Sequence, residues 1–221
     1  MKLLFALAFA QAYLALPTGD EILARVEVET NRRHTELKDF SAARQYTMKN
    51  LRFGKQAATS VRVDYVQVVG DRFTVLARSG SSKLNGIIDD VLASEVLASV
   101  APESARHEIS AANYRVRLLG TDVAGGRSCY ILELKPKFKS RSLIIGKAWV
   151  DPATYSIVRI EGQFAASLSS LVGAPRITED FVEVLGFWLP AHLTSVASSL
   201  LLGITELDIV FSNYQLSPLN P

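Results

Sequence analysis

The architecture of the chain turns on Val61-Arg62-Val63-Asp64-Tyr65-Val66-Gln67-Val68-Val69. Val61, Val63, Tyr65 and Val69 share one face on which only Gln67 is polar, while the other face begins polar at Arg62 and Asp64 and turns apolar at Val66 and Val68. Side chains that alternate with period two define a β-strand. Upstream, Tyr46, Met48 and Leu51 keep the same period from Ala43 onward. Downstream, a Gly70-Asp71 turn leads to Phe73-Thr74-Val75-Leu76, which gives three strands joined by tight connections.

From Tyr114 the strand pattern returns and persists. Turn signals at Gly125-Gly126, Pro136, Pro152-Ala153-Thr154, Gly173-Ala174-Pro175, Gly186 and Gly203 divide it into an antiparallel meander. Its roughly seven strands, added to the three before it, make about ten. Leu143-Ile144-Ile145-Gly146-Lys147-Ala148-Trp149-Val150 is apolar on both sides for most of its length, and Ser156-Ile157-Val158-Arg159-Ile160 is so in part. A sheet with one watery face alternates more cleanly, so helices or a ligand are expected to cover some of the second face.

Two segments carry the helical period instead. Thr18 caps the first, read over 18–39, with Glu21 as capping-box partner. Ile22, Leu23, Val26, Leu37 and Phe40 fall on one side, interrupted by Thr30 and Arg33, with Arg25, Glu29, Arg32 and Glu36 opposite. The second, over 84–100, presents Leu84, Ile87, Ile88, Val91 and Leu92 on one stripe and Asp89, Asp90 and Ala93 on the other side. Glu95 breaks that stripe, and Pro102 marks the end. The fold class is therefore α+β, mainly β: an antiparallel sheet of about ten strands with helices available to cover one face.

Met1-Lys2, the apolar run from Leu3 to Ala10 and the small-x-small site Ala10-Gln11-Ala12 have the layout of a secretory signal peptide. The expected organisation is a signal peptide over 1–16 and one domain over 17–221, exported and periplasmic; a retained N-terminal anchor is the competing reading. No later run approaches the roughly 20 apolar residues of a spanning helix. The absence of a cysteine near the cleavage site argues against a lipidated N-terminus.

The formal charge of +2 comes from scattered residues, which argues against nucleic-acid binding. Cys129 is the only cysteine, so no intrachain disulfide forms, and its strand setting reads as small core residue rather than nucleophile. No G-x-S-x-G elbow is present, and the serines at 79–82 and 167–170 lie in loop-like stretches without a neighbouring base. His34, His107 and His192 lack paired ligand spacing, so no metal site is expected. Asp89 and Asp90 read as a solvated helix face rather than a carboxylate pair. Gly146-Lys147 lacks the earlier glycine and the following Ser or Thr of a phosphate loop. The chain reads as a binding protein, not an enzyme, with no cofactor.

Ala148-Trp149-Val150-Asp151-Pro152-Ala153-Thr154-Tyr155-Ser156-Ile157-Val158-Arg159-Ile160 resembles the W-V-D-P-x-T hairpin of the LolA/LolB-like periplasmic outer-membrane lipoprotein-sorting family. Phe187-Trp188-Leu189-Pro190-Ala191 and the closing stretch Leu207-Asp208-Ile209-Val210-Phe211-Ser212-Asn213-Tyr214 fit the same group, as does the order of elements. Asp151-Pro152-Ala153-Thr154 is also simply a good turn sequence. The resemblance implies a half-open barrel that admits acyl chains between sheet and helical lid. Tyr65, Leu143, Ile145, Trp149 and Trp188 on the sheet and Ile88, Val91 and Leu92 on the lid are the expected ligand-lining residues, though each also reads as ordinary core. The carriers have an arginine-proline segment in an early strand, associated with opening and closing. Here the region reads Ser60-Val61-Arg62-Val63-Asp64-Tyr65, without proline, and Arg62 is the candidate stand-in.

The expected partners are lipid or an acylated protein, with inner- or outer-membrane proteins as possible donors and acceptors, and the chain is expected to be a monomer. The alternative is an envelope sensor or adaptor module that contacts a protein partner through the same fold, as relatives resembling anti-sigma regulators do; there the interior is filled by side chains.

Overall fold

The computed structural model describes residues 16–100, 104–169 and 172–217. The expected signal peptide and Pro102 lie outside the described residues. Ten antiparallel strands form one open, strongly curved sheet: β1 Asp39–Asn50, β2 Lys55–Val66, β3 Gly70–Gly80, β4 Tyr114–Ala124, β5 Arg127–Pro136, β6 Ile144–Val150, β7 Ile157–Phe164, β8 Arg176–Val184, β9 Phe187–Ser199 and β10 Gly203–Leu216. The order is β3-β2-β1-β10-β9-β8-β7-β6-β5-β4, so the meander closes back on β1 and the edges are β3 and β4. Helix α1 (Gly19–Glu36) precedes the sheet and α2 (Ser82–Ala98) links its two edges.

Cross-strand partners share a face, which lets the register identify the two sides of the sheet. One row runs Thr59, Tyr46, Ile209, Leu193, Glu179, Ile160, Ala148, Leu132, Leu118 across nine strands. The alternate row runs Thr47, Asp208, Thr194, Thr178, Glu161, Lys147, Glu133, Arg117. The first is the covered concave face and the second the wet outer face. Glu179 is the only charge in the covered row.

Each helix seals one half of that face. Ile22, Leu23 and Val26 of α1 join Leu132, Leu134, Leu143, Ala148, Val150 and Ile160 in one buried cluster. Leu84, Ile88 and Leu92 of α2 join Tyr46, Met48, Val61, Val63 and Ile209 in another. Curvature comes from five register shifts, one of them between Asp180 and Phe181. It also comes from Gly146 and Gly162, paired on the concave face, where a Cβ on Gly146 would stand 2.0 Å from the Glu161 carbonyl.

Several boundaries differ from the sequence reading. The Thr18–Glu21 capping box is present, but α1 ends at Glu36 rather than 39, because Leu37 is extended and Phe40 already belongs to β1, its ring stacked on Tyr65 at 5.0 Å. The α2 segment read over 84–100 spans Ser82–Ala98. The turn placed at Gly70-Asp71 lies at 67–69, and Gly70, with φ +83°, opens β3. Val66, Val68 and Val69 are therefore an exposed hairpin tip and not a second covered face. The same holds for Ile145, which pairs with Gln163 and is 55% exposed.

Candidate functional site

The two apolar clusters meet along a charged seam. Arg44 of β1, only 9% exposed, donates to Glu95 of α2 at 2.5 Å and to Asp71 of β3 at 3.1 Å, while its guanidinium lies over the rings of Phe73 and Phe211. Tyr46 donates its hydroxyl to Glu95 at 2.9 Å. Burial pushes the Glu95 and Asp71 carboxyls up against the pull of Arg44. Burial also pushes up the Tyr46 hydroxyl, helped by Glu95. Burial alone would loosen the Arg44 proton, but Asp71 and Glu95 hold it more firmly than usual.

Glu179 of β8 lies next along the concave row. Its carboxyl makes no hydrogen bond or ion pair with a described residue, and burial together with the nearby Glu95 raises it to about 7, despite Arg33 and Arg44. Arg33 on α1 reaches only the Trp188 carbonyl, at 3.5 Å, among the described residues, and burial lowers its affinity for its proton.

Beside this seam opens a cleft of about 250 Å³ whose lining includes Val26, Arg33 and His34 of α1, Ala98 of α2, His107 and Ile109 of the connection, and Ile160, Phe181 and Trp188 of the sheet. The Trp188 indole nitrogen is buried without a hydrogen-bond partner among the described residues, and Arg127 lies over its ring at 5.1 Å. His34 faces Glu108 at 3.7 Å, and burial, with Arg33 adjacent, depresses its pKa. Among the described residues no group of three or more His, Cys, Asp and Glu side chains is placed to hold a metal ion.

The Trp149–Ile160 hairpin fixes α1 at the mouth of this cleft. Burial alone would raise the pKa of the Asp151 carboxyl, but the backbone N–H groups of Ala153 and Thr154, with Arg127, hold it below its ordinary value. Tyr155 follows at φ 57° and accepts a hydrogen bond from Arg25 of α1 at 2.7 Å. The turn sequence is thus also the dock for the first helix.

The expected lining residues are distributed, not gathered. Ile88 and Leu92 lie inside the α2 cluster with Val91 packed against it, and Leu143 lies inside the α1 cluster. Trp149 and Trp188 belong to a third cluster with Ala124, Cys129 and Val158, and of the eight only Trp188 reaches the cleft. Tyr65 is half-buried on Phe40. Arg62 is on the exposed side of β2, paired with Asp64 two residues on; the buried arginine of this region is Arg44. Cys129 is buried and free, with its thiol pKa raised by burial. Asp89 is surface-exposed and paired with Arg78 of β3. Sequence reasoning missed Arg44 and Glu179, and it noted Arg33 and Glu95 only as flaws in apolar stripes.

No family model matches the chain and no curated protein matches it. Solved structures do. A domain from Vibrio parahaemolyticus assigned to outer membrane lipoprotein sorting superposes with a TM-score of 0.50 at 13% identity, over 90% of this chain and 92% of that one. A DUF1329 family protein from Desulfovibrio piger gives 0.44 at 15% identity, over 90% and 94%. A LolA superfamily protein from Nitrosomonas europaea gives 0.38 at 14%, over 92% and 96%. The chain has a LolA-like fold. No described helix is long and apolar enough to cross a membrane.

Proposed function

We propose that this chain is a periplasmic carrier or binding protein for lipid or lipoprotein acyl chains, which it takes between the sheet and its two helices. The reading rests on the split cover of the concave face: two apolar clusters, each under its own helix, with Glu179 and the Arg44–Asp71–Glu95 ion pairs at their border rather than a continuous core. A helix leaving one half breaks no sheet hydrogen bond. At about 250 Å³ the cleft is smaller than the roughly 300–1,000 Å³ of common small-molecule sites, so a long chain enters only as a helix lifts. Each methylene then buried contributes about 0.8 kcal/mol. Arg33 and the unpaired Trp188 indole N–H suit a carboxylate or ester carbonyl at the polar end of such a ligand. Tyr65, Ile88, Val91, Leu92 and Leu143 would line the deeper path, with Ile145 and Trp149 outside it, since both share the outer face with Lys147.

Titration of the full chain with a fluorescent fatty acid tests this. Saturable binding at micromolar affinity or tighter is expected, weakened by Trp188→Ala; no saturable binding would reject the reading. The filled clusters beneath both helices favour one second reading, an adaptor that contacts an envelope protein while its interior stays closed. Recovery of one specific membrane protein from envelope extract, by a chain that takes up no fatty acid, would select it.

A further inference from the structure

One end of the sheet carries an unusual surface. The β9–β10 turn is Leu200-Leu201-Leu202, exposed by 79%, 64% and 40%, where tight turns ordinarily use Gly, Asn, Asp or Ser. Beside it the β1–β2 turn presents Leu51 at 53% and Phe53 at 55% exposure. The two tips are tied together. Asn50 donates to the Leu202 carbonyl at 2.8 Å, the Leu51 N–H donates to the Ile204 carbonyl at 3.0 Å, and Arg52 donates to the carbonyls of Leu200 and Leu201. The apolar side chains therefore project from a braced platform rather than from two loose loops.

The charge on the two tips themselves is of one sign, with Glu206 one rung in, opposite Lys49. Segments 50–55, 165–175 and 199–205 contain no Asp or Glu, whereas Arg52 and Lys55 are exposed on the tip itself. The β5–β6 connection, at the same end of the antiparallel sheet, adds exposed Lys137, Lys139 and Arg141 around exposed Phe138. The opposite end carries both signs, with Asp71 paired to Arg44 and Asp151 and Glu183 paired to Arg127. Exposed leucines ringed by cations suit a surface with negative headgroups over an apolar interior. A second copy of the chain is the poorer partner, because it would bring the same positive charges together.

We propose that this end of the sheet docks on a bilayer containing anionic phospholipid, with the Leu200–Leu202 and Leu51–Phe53 tips entering the headgroup–acyl boundary and Arg52 and Lys55 meeting lipid phosphates. The docking goes beyond acyl-chain carriage and does not require a loaded cleft.

The test is co-sedimentation of the full chain with vesicles of phosphatidylethanolamine and phosphatidylglycerol, set against phosphatidylcholine vesicles. The apolar N-terminal stretch is common to all forms, so differences between forms report the tips. Expected are preference for the anionic vesicles, binding that weakens with added salt, and a loss of about tenfold or more in Leu200→Ser/Leu201→Ser with an unchanged melting temperature. Lys55→Gln should weaken binding to the anionic vesicles alone. In a Leu201→Trp variant, emission should shift to shorter wavelength on those vesicles relative to the parent chain. Equal binding by the serine variant, equal binding to neutral vesicles, an unshifted tryptophan, or self-association through the tips with vesicles left unbound would each overturn the proposal.

Discussion

The two halves of the concave face are closed by different physics. Under α1 the buried cluster is wholly apolar, and the polar ties of the helix run along its rim, from Arg25 to Tyr155 and from Arg32 to the Gly186 carbonyl. Under α2 the apolar cluster is bordered by a buried ionic knot, in which Arg44 serves Glu95 of the helix and Asp71 of the sheet together. Apolar contact decays smoothly as surfaces separate. A buried ion pair contributes little net stability against an apolar replacement but is costly to break by halves. On the proposed carrier reading, α1 is held by apolar contact and α2 by an ionic latch.

The largest expected effect follows from removing the shared partner. Arg44→Ala strands two carboxylates in a poorly solvated seam and should cost about 4 kcal/mol in urea unfolding. Glu95→Gln, which keeps a hydrogen-bonding group for Arg44, should cost clearly less. Equal losses would erase the latch. In the other half, Leu132→Ala opens a cavity beneath α1 and should cost about 3 kcal/mol. It should leave hydrogen exchange in α2 unchanged relative to global unfolding. If it frees α2 as well, the halves are one cooperative unit and the contrast fails.

A smaller effect sharpens the seam itself. Glu179 keeps its proton up to about 7 in the folded chain, whereas an unfolded carboxyl releases it near its ordinary value of 4.5. Between those values the folded state binds more protons, so stability should fall as pH rises through that window, by about 1–2 kcal/mol for this half-buried group. Glu179→Gln should flatten that slope and raise stability above pH 7; an unchanged pH profile would show that Glu179 does not titrate as placed here. Least of all should Arg78→Gln matter. Its pairing with Asp89 is solvent-exposed on both sides, so no measurable change is expected in the same unfolding assay.

Much of the fold was legible because its signals are local. The Thr18–Glu21 capping box, the alternation of Val61 and Val63, and the Gly125-Gly126 and Pro152-Ala153-Thr154 turns each act within a few residues. The β2–β3 turn was misplaced because Val66-Gln67-Val68-Val69 continues the alternation into an exposed tip. The site was hardly legible, since Arg44, Asp71, Glu95 and Glu179 come from four elements and meet only through register. Glu95 and the neighbouring Arg33 left a trace: each breaks the apolar stripe of its helix, and those breaks face the seam. His34 and His107 likewise meet at the cleft by tertiary packing that spacing does not reveal.

The most direct test of the central claim is native mass spectrometry of the full chain purified from the cell envelope under conditions that keep noncovalent ligands. A population carrying one lipid or acyl species per chain, exchangeable for added fatty acid, is the predicted result. Protein that arrives ligand-free and stays so with excess fatty acid would contradict it.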